Sequence, residues 1–205
     1  MTGPRLNVVD LHSAPFSSGF EHLHPRTKAR AIVFPMSHSY SVSEVTFERL
    51  SGPDLTEWLH RTKSEYIGER MAAGDTLAEA EANADTSMDR MFPAGAPAPG
   101  QLVGRVLIHG KRVGELWIGP FGSDPARWWV WNIMVDEEVR GRGYGRKTML
   151  LAEELARANG ASSIGLNVFA RNEVARSLYI SLDYHETSVQ MRKALDRATA
   201  PEGHR

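Results

Sequence analysis

The stretch Val135-Asp136-Glu137-Glu138-Val139-Arg140-Gly141-Arg142-Gly143-Tyr144-Gly145-Arg146-Lys147 sets alternating glycines among cations. Glycine lets a backbone take positive φ and approach a ligand with no Cβ in the way. The amides of such a turn, followed by the first turn of a helix, form an anion cradle that the helix dipole reinforces. Arg140, Arg142, Arg146 and Lys147 add charge around it. Phosphate or pyrophosphate is the natural occupant. Two familiar phosphate-binding patterns do not fit. A P-loop counted from Gly141 needs glycine where Arg146 stands, and a dinucleotide fingerprint counted from Gly143 needs it at Thr148. The dinucleotide motif also belongs to an early strand-helix-strand unit, whereas this turn falls late in the chain.

The elements around the turn follow from periodicity and punctuation. A β-like stretch covers Ser41 to Leu50, and Ser51-Gly52-Pro53-Asp54 signals a helix start. Leu55, Trp58, Leu59, Thr62 and Tyr66 then fall at helical spacing until Gly74. Thr76 to Glu79 has capping-box form and opens a second helix, with Leu77, Ala80, Ala84, Met88 and Met91 on one face. Residues 93–100 read as a loop. Strands over Gln101 to Ile108 and Arg112 to Ile118 flank a hairpin turn at His109-Gly110-Lys111. A third strand, Arg127 to Asp136, leads into the glycine turn, and a helix from Gly145 to Asn159 leaves it. Ile164 to Phe169 is a strand, Asn172 to Leu182 a helix, and Thr187 to Leu195 a last strand. This order predicts an α/β (α+β) fold with a mixed sheet.

The Arg140-x-x-Gly143-x-Gly145 turn after a strand ending in valine resembles the acetyl-CoA pyrophosphate loop of the GNAT superfamily of N-acetyltransferases. A second segment, Asn172-Glu173-Val174-Ala175-Arg176-Ser177-Leu178-Tyr179-Ile180-Ser181-Leu182-Asp183-Tyr184, is similar to that superfamily's N-x-x-A-x-x-L-Y-x-x-x-G-F pattern. Asp183 stands where glycine is usual and Tyr184 where phenylalanine is common. The resemblance covers residues 41–196, and before residue 128 it rests on element order alone. It implies a mixed, mostly antiparallel sheet with a central strand splay, flanked by helices. It also implies that the backbone of Ile133, Met134 and Val135 pairs with pantetheine, with one amide polarising the thioester carbonyl. Arg140, Gly141, Arg142, Gly143, Tyr144, Gly145 and Arg146 then form the pyrophosphate loop, Asn172 bonds the cofactor arm, and Tyr179 protonates the departing thiolate. Some protein N-terminal acetyltransferases of this superfamily carry a glutamate base on the strand before the asparagine helix. Asn167 occupies the comparable position here, so Glu115 is the expected base. The implied activity is acetyl transfer from acetyl-CoA to a primary amine by direct attack, without a metal.

The acceptor is read from charge. Glu65 and Glu69 are expected to hold a cationic amine, with Tyr66 lining the pocket. The second helix is acidic as well, which suits a polyamine, an aminoglycoside or a basic peptide. A small-molecule amine is favoured because Asn167 replaces the glutamate. The alternatives are a protein N-terminal or lysine acetyltransferase and a non-catalytic acyl-CoA-binding module. A net charge of −1 argues against a nucleic-acid partner. With 0 cysteines, no thiol nucleophile or disulfide is available. No apolar run reaches the length of a membrane span and no secretory pattern opens the chain, so a cytoplasmic location without a membrane partner is expected. A homodimer is left open. Residues 1–40, rich in proline, histidine and serine, are expected to form an arm before the acetyltransferase domain at 41–196, and 197–205 a tail.

Overall fold

Alternation along the sheet strands puts apolar side chains on both faces, so helices must cover both. The computed structural model describes residues 39–42, 44–189, 191 and 193. Its sheet runs β1 (Ser39–Val42), β2 (Val45–Arg49), β3 (Leu102–Ile108), β4 (Lys111–Phe121), β5 (Asp124–Val135) and β6 (Ser163–Leu166), in that spatial order. Neighbours are antiparallel from β1 to β5, and β6 joins β5 in parallel. The helices are α1 (Gly52–Ala72), α2 (Leu77–Met91), α3 (Tyr144–Ala158) and α4 (Glu173–Ile180). Leu116, Ile118 and Ile133 pack with Leu151 and Leu155 of α3 and Ala175 and Tyr179 of α4. On the opposite face Val103, Trp117 and Trp131 pack with Trp58 and Tyr66 of α1 and Met88 of α2.

Local signals account for most boundaries. The Thr76 hydroxyl accepts from the Glu79 amide while the Glu79 carboxylate accepts from the Thr76 amide, closing the capping box. His109 and Gly110 both have positive φ, as a tight hairpin turn with the strand's own twist requires. Four expectations change. The 41–50 stretch is part of a hairpin of two strands, β1 and β2, because the chain reverses near Glu44. Leu77 is half exposed at the first turn of α2, and Ser87 takes a place on the buried face instead. β6 stops at Leu166 instead of Phe169. Thr187 to Val189 lie outside the sheet, with Val189 and Met191 exposed; the remainder of that expected strand falls mostly outside the described residues.

The feature that shapes the site is a bulge in β5. Trp117 pairs with Asn132 and Ile118 with Val130, so Trp131 is an extra residue on β5. A bulge bends its strand and increases the local twist. Pairing with β6 accordingly covers only Arg127 to Val130, while β5 continues to Val135. The two parallel strands part at that point, and among the described residues no strand pairs with the β6-facing edge of β5 over Asn132 to Val135. No helix among the described residues is long and apolar enough to cross a membrane.

Candidate active site

The glycine turn forms as a short 3₁₀ segment, Glu137–Val139, followed by the start of α3. Gly141 and Gly143 have φ of 76° and 77°, and Gly143 is the N-cap of α3 with no side-chain cap. Gly143 therefore offers no side chain to cap the first amides of α3. A Cβ at either glycine would meet nothing within 4 Å, so positive φ is what demands glycine there. Gly145 differs from the expected pattern: it is buried in the first turn of α3 and is not a positive-φ residue. The cations divide as well. Arg140 Nε donates to the Val135 carbonyl at 3.1 Å, Arg146 donates to the Ser181 carbonyl and hydroxyl at 3.3 and 2.5 Å, and Lys147 pairs with Glu44. Among the described residues Arg142, which is exposed, is the one of the four cations with no protein partner. Arg140 and Arg146 thus tie the loop to the ends of β5 and α4.

At the parted strands Ile133 and Val135 point their side chains into the core, so only their backbone is available to a ligand. Opposite them, a Cβ on Gly114 would lie 2.0 Å from the Met134 carbonyl oxygen. Close approach of β4 to the end of β5 depends on that glycine. Asn132, 4% exposed, has a buried Oδ1 with no hydrogen-bond partner among the described residues.

Asn172 caps α4, its side chain accepting from the Ala175 amide at 3.2 Å. Ala175 and Tyr179, one turn apart, form the buried face of that helix. Tyr179 is 2% exposed, and its hydroxyl has no partner among the described residues. Burial pushes this phenol well above its ordinary pKa, so it holds its proton. Just beyond α4, Asp183 has φ 65°, the left-handed conformation that explains why glycine is usual at this position. Asp183→Gly is expected to raise stability by about 0.5–1 kcal/mol, since it relieves a left-handed side chain at the cost of a freer unfolded chain. A thermal melt showing an unchanged or lower Tm would contradict this.

A cavity of about 380 Å³ opens where α1 meets the end of β5, walled by Met134 and Val135 and by the carboxylates of Glu65, Asp136, Glu137 and Glu138. Arg112 and Arg140 complete it. Glu65 is therefore brought to the strand end. Tyr66 is not: it is 2% exposed and packs in the core with Trp58 and Met88. The 3.6-residue period turns it one step past Glu65, towards the sheet. Glu69 lies a turn further along α1 and does not line the cavity. Glu115 is 3% exposed, and its oxygens accept from Arg61 at 2.8 and 2.6 Å and from Arg112 at 3.0 Å. A carboxylate so engaged is poorly placed to take a proton from a substrate. Arg61 and Arg112 were not singled out from the sequence, and neither has a local signal. Asp136-Glu137-Glu138 did carry one, an acidic run directly after the strand that ends in Val135.

A bulged strand parted from its parallel neighbour, a glycine turn at a helix start and a buried phenol are brought together here, the arrangement that the resemblance to N-acetyltransferases implies. The sequence profile of the Acetyltransferase (GNAT) family matches residues 52–184, and the chain belongs to that family. It is an N-acetyltransferase. Two Bacillus subtilis (strain 168) proteins named uncharacterized N-acetyltransferases are similar to it. YycN is 29% identical over 145 residues, covering 69% of this chain and 93% of YycN. YdgE is 30% identical over 153 residues, covering 73% of this chain and 98% of YdgE. The crystal structure of Bacillus subtilis YycN superposes with a TM-score of 0.66 at 27% identity, over 75% of this chain and 99% of that one. A GCN5-related N-acetyltransferase from Ralstonia eutropha JMP134 shares the fold, with a TM-score of 0.50 at 20% identity, over 74% of this chain and 98% of that one. Among the described residues no group of three or more His, Asp or Glu is placed to hold a metal ion.

Proposed function

We propose that the protein transfers the acetyl group of acetyl-CoA to a small, cationic primary amine, in a ternary complex with no covalent enzyme intermediate. The observation that carries this reading is that the unpaired end of β5 is also a wall of the carboxylate-rich cavity. Acyl donor and acceptor then meet at one strand end, with β5 between the cavity and Tyr179. The uncapped amides of the glycine turn and Arg142 take the pyrophosphate. The free backbone edge at Ile133 to Val135 takes the pantetheine amides, and an N–H at Met134 or Val135 polarises the thioester carbonyl. The neutral amine attacks that carbon, the new C–N bond forms and the C–S bond breaks. The thiolate takes its proton from the Tyr179 hydroxyl, and the surplus proton on the acylated nitrogen passes to solvent, from which the Tyr179 phenolate is reprotonated.

An alkyl ammonium has a pKa of about 10 and must be deprotonated before it attacks. Glu65 is the carboxylate we assign to receive that proton: it faces the strand end, and no salt bridge holds it among the described residues. Of the two arginines in the cavity, Arg112 is already engaged by Glu115 and Asp136. The balance of charge left for a ligand is negative, which selects amines that carry further positive charge. With acetyl-CoA present, di- and polycationic amines should release thiol up to about fivefold faster, per kcat/KM, for each added charge than monoamines of equal length, since each such charge pair contributes roughly 0.2–1 kcal/mol. Equal rates for cationic, neutral and acidic amines would contradict the acceptor class. No thiol release with any amine would favour the acyl-CoA-binding module.

A further inference from the structure

Glu115 is a buried carboxylate that joins two elements far apart in sequence. Arg61 comes to it from α1 at 2.6 Å, and Arg112 from its own strand at 3.0 Å. Arg112 also reaches Asp136, at the start of the glycine turn, with Nε to carboxylate 3.2 Å. The chain of contacts therefore runs from α1 through Glu115 and Arg112 to the residue just after β5. Arg61 precedes Glu65 by one helical turn, so both lie on one face of α1. Glu115 pairs in register with Met134 and shares its face of the sheet. The same network thus touches the supports of both cavity walls, Glu65 on one side and Met134, Val135 and Asp136 on the other.

We propose that Glu115 is a positioning residue for the acceptor, clamping α1 and the end of β5 at the separation that lets a bound amine reach the thioester carbon. This rests on the reading of the cavity as the acceptor site. A buried charge must be paired, and removing one member leaves the others uncompensated. In Glu115→Gln the two guanidiniums lose their shared anion, and α1 is freed to shift against the sheet. Small misplacements of a bound reactant are enough to slow a reaction markedly.

The test compares Glu115→Gln, Arg61→Met and Glu65→Gln in steady-state assays with acetyl-CoA and the best cationic amine. Arg61 is about one third exposed, so its replacement keeps the fold and still cuts the link between α1 and Glu115. Glu115→Gln should raise the acceptor KM by about 10- to 100-fold and Arg61→Met by a smaller factor in the same direction. Acetyl-CoA affinity should be unchanged in both, and the pH profile of kcat/KM should keep its shape. A lost acid limb in Glu115→Gln with an unchanged KM would overturn the proposal and make Glu115 the proton acceptor. An unchanged KM in Arg61→Met, with Glu65→Gln raising it, would overturn the clamp alone. If Glu65→Gln leaves KM, kcat and the acid limb of kcat/KM all unchanged, the acceptor site itself has been misplaced.

Discussion

Tyr179→Phe is expected to lower kcat by about 10²- to 10⁴-fold, the contribution of a positioned general acid, and to leave acetyl-CoA affinity unaltered. The phenol is buried on α4, its hydroxyl has no partner among the described residues, and burial favours the protonated form. An acid of this kind stays loaded through the alkaline range, so kcat should show no fall from phenol ionisation up to at least pH 10. A buried polar atom left without a partner costs roughly 1–3 kcal/mol. Removing it therefore should not destabilise the protein, and the Tm of Tyr179→Phe should equal or exceed that of the parent. Loss of turnover with a preserved melt separates a chemical role from a packing one. Unchanged turnover would exclude Tyr179 as the acid, and a sharply lowered Tm would make it a core residue.

The second large effect is expected at Gly114→Ala. The new methyl would stand 2.0 Å from the Met134 carbonyl oxygen, 3.0 Å from its carbon and 3.1 Å from the Val135 Cα. All three are backbone atoms of β5, so no rotamer change relieves the clash. Either β4 and β5 separate or the strand end moves, and overpacking of this severity costs about 3 kcal/mol or more. Acetyl transfer should be lost even where the protein still folds, because the displaced atoms are those assigned to the thioester. Gly141→Ala is the comparison. Nothing lies within 4 Å of its methyl, and the penalty is limited to a left-handed backbone, about 1–2 kcal/mol. Its effect should appear as weaker acetyl-CoA binding with little change in the core. Gly114→Ala melting like the parent would show that β5 yields more easily than its backbone contacts imply.

What could be read from the residues was what depends on near neighbours in sequence. The capping box at Thr76, the hairpin turn at His109-Gly110 and the buried stripe Leu55, Trp58, Thr62, Tyr66 all formed as their spacing requires. The glycine turn and the start of α4 at Asn172 were legible for the same reason. Long-range features were not. The bulge at Trp131 arises from pairing between strands, and nothing in Trp129-Val130-Trp131-Asn132 marks one residue as extra. Glu115 was legible as a strand carboxylate, but one of its partners, Arg61, is 54 residues away on another element. Arg140 and Arg146 looked like phosphate ligands by proximity in sequence, while their bonds go to Val135 and Ser181. Tyr66 was placed in the pocket because it adjoins Glu65, although adjacent helical residues point about 100° apart.

Calorimetric titration with acetyl-CoA asks whether the glycine turn and the free edge of β5 together bind that cofactor. Acetyl-CoA and CoA should both bind, with ATP and NAD showing no comparable heat, since the pantetheine arm supplies contacts those nucleotides lack. Absence of acetyl-CoA binding, or ATP binding as tight as acetyl-CoA, would mean that the turn and the β5 edge do not form an acetyl-CoA site.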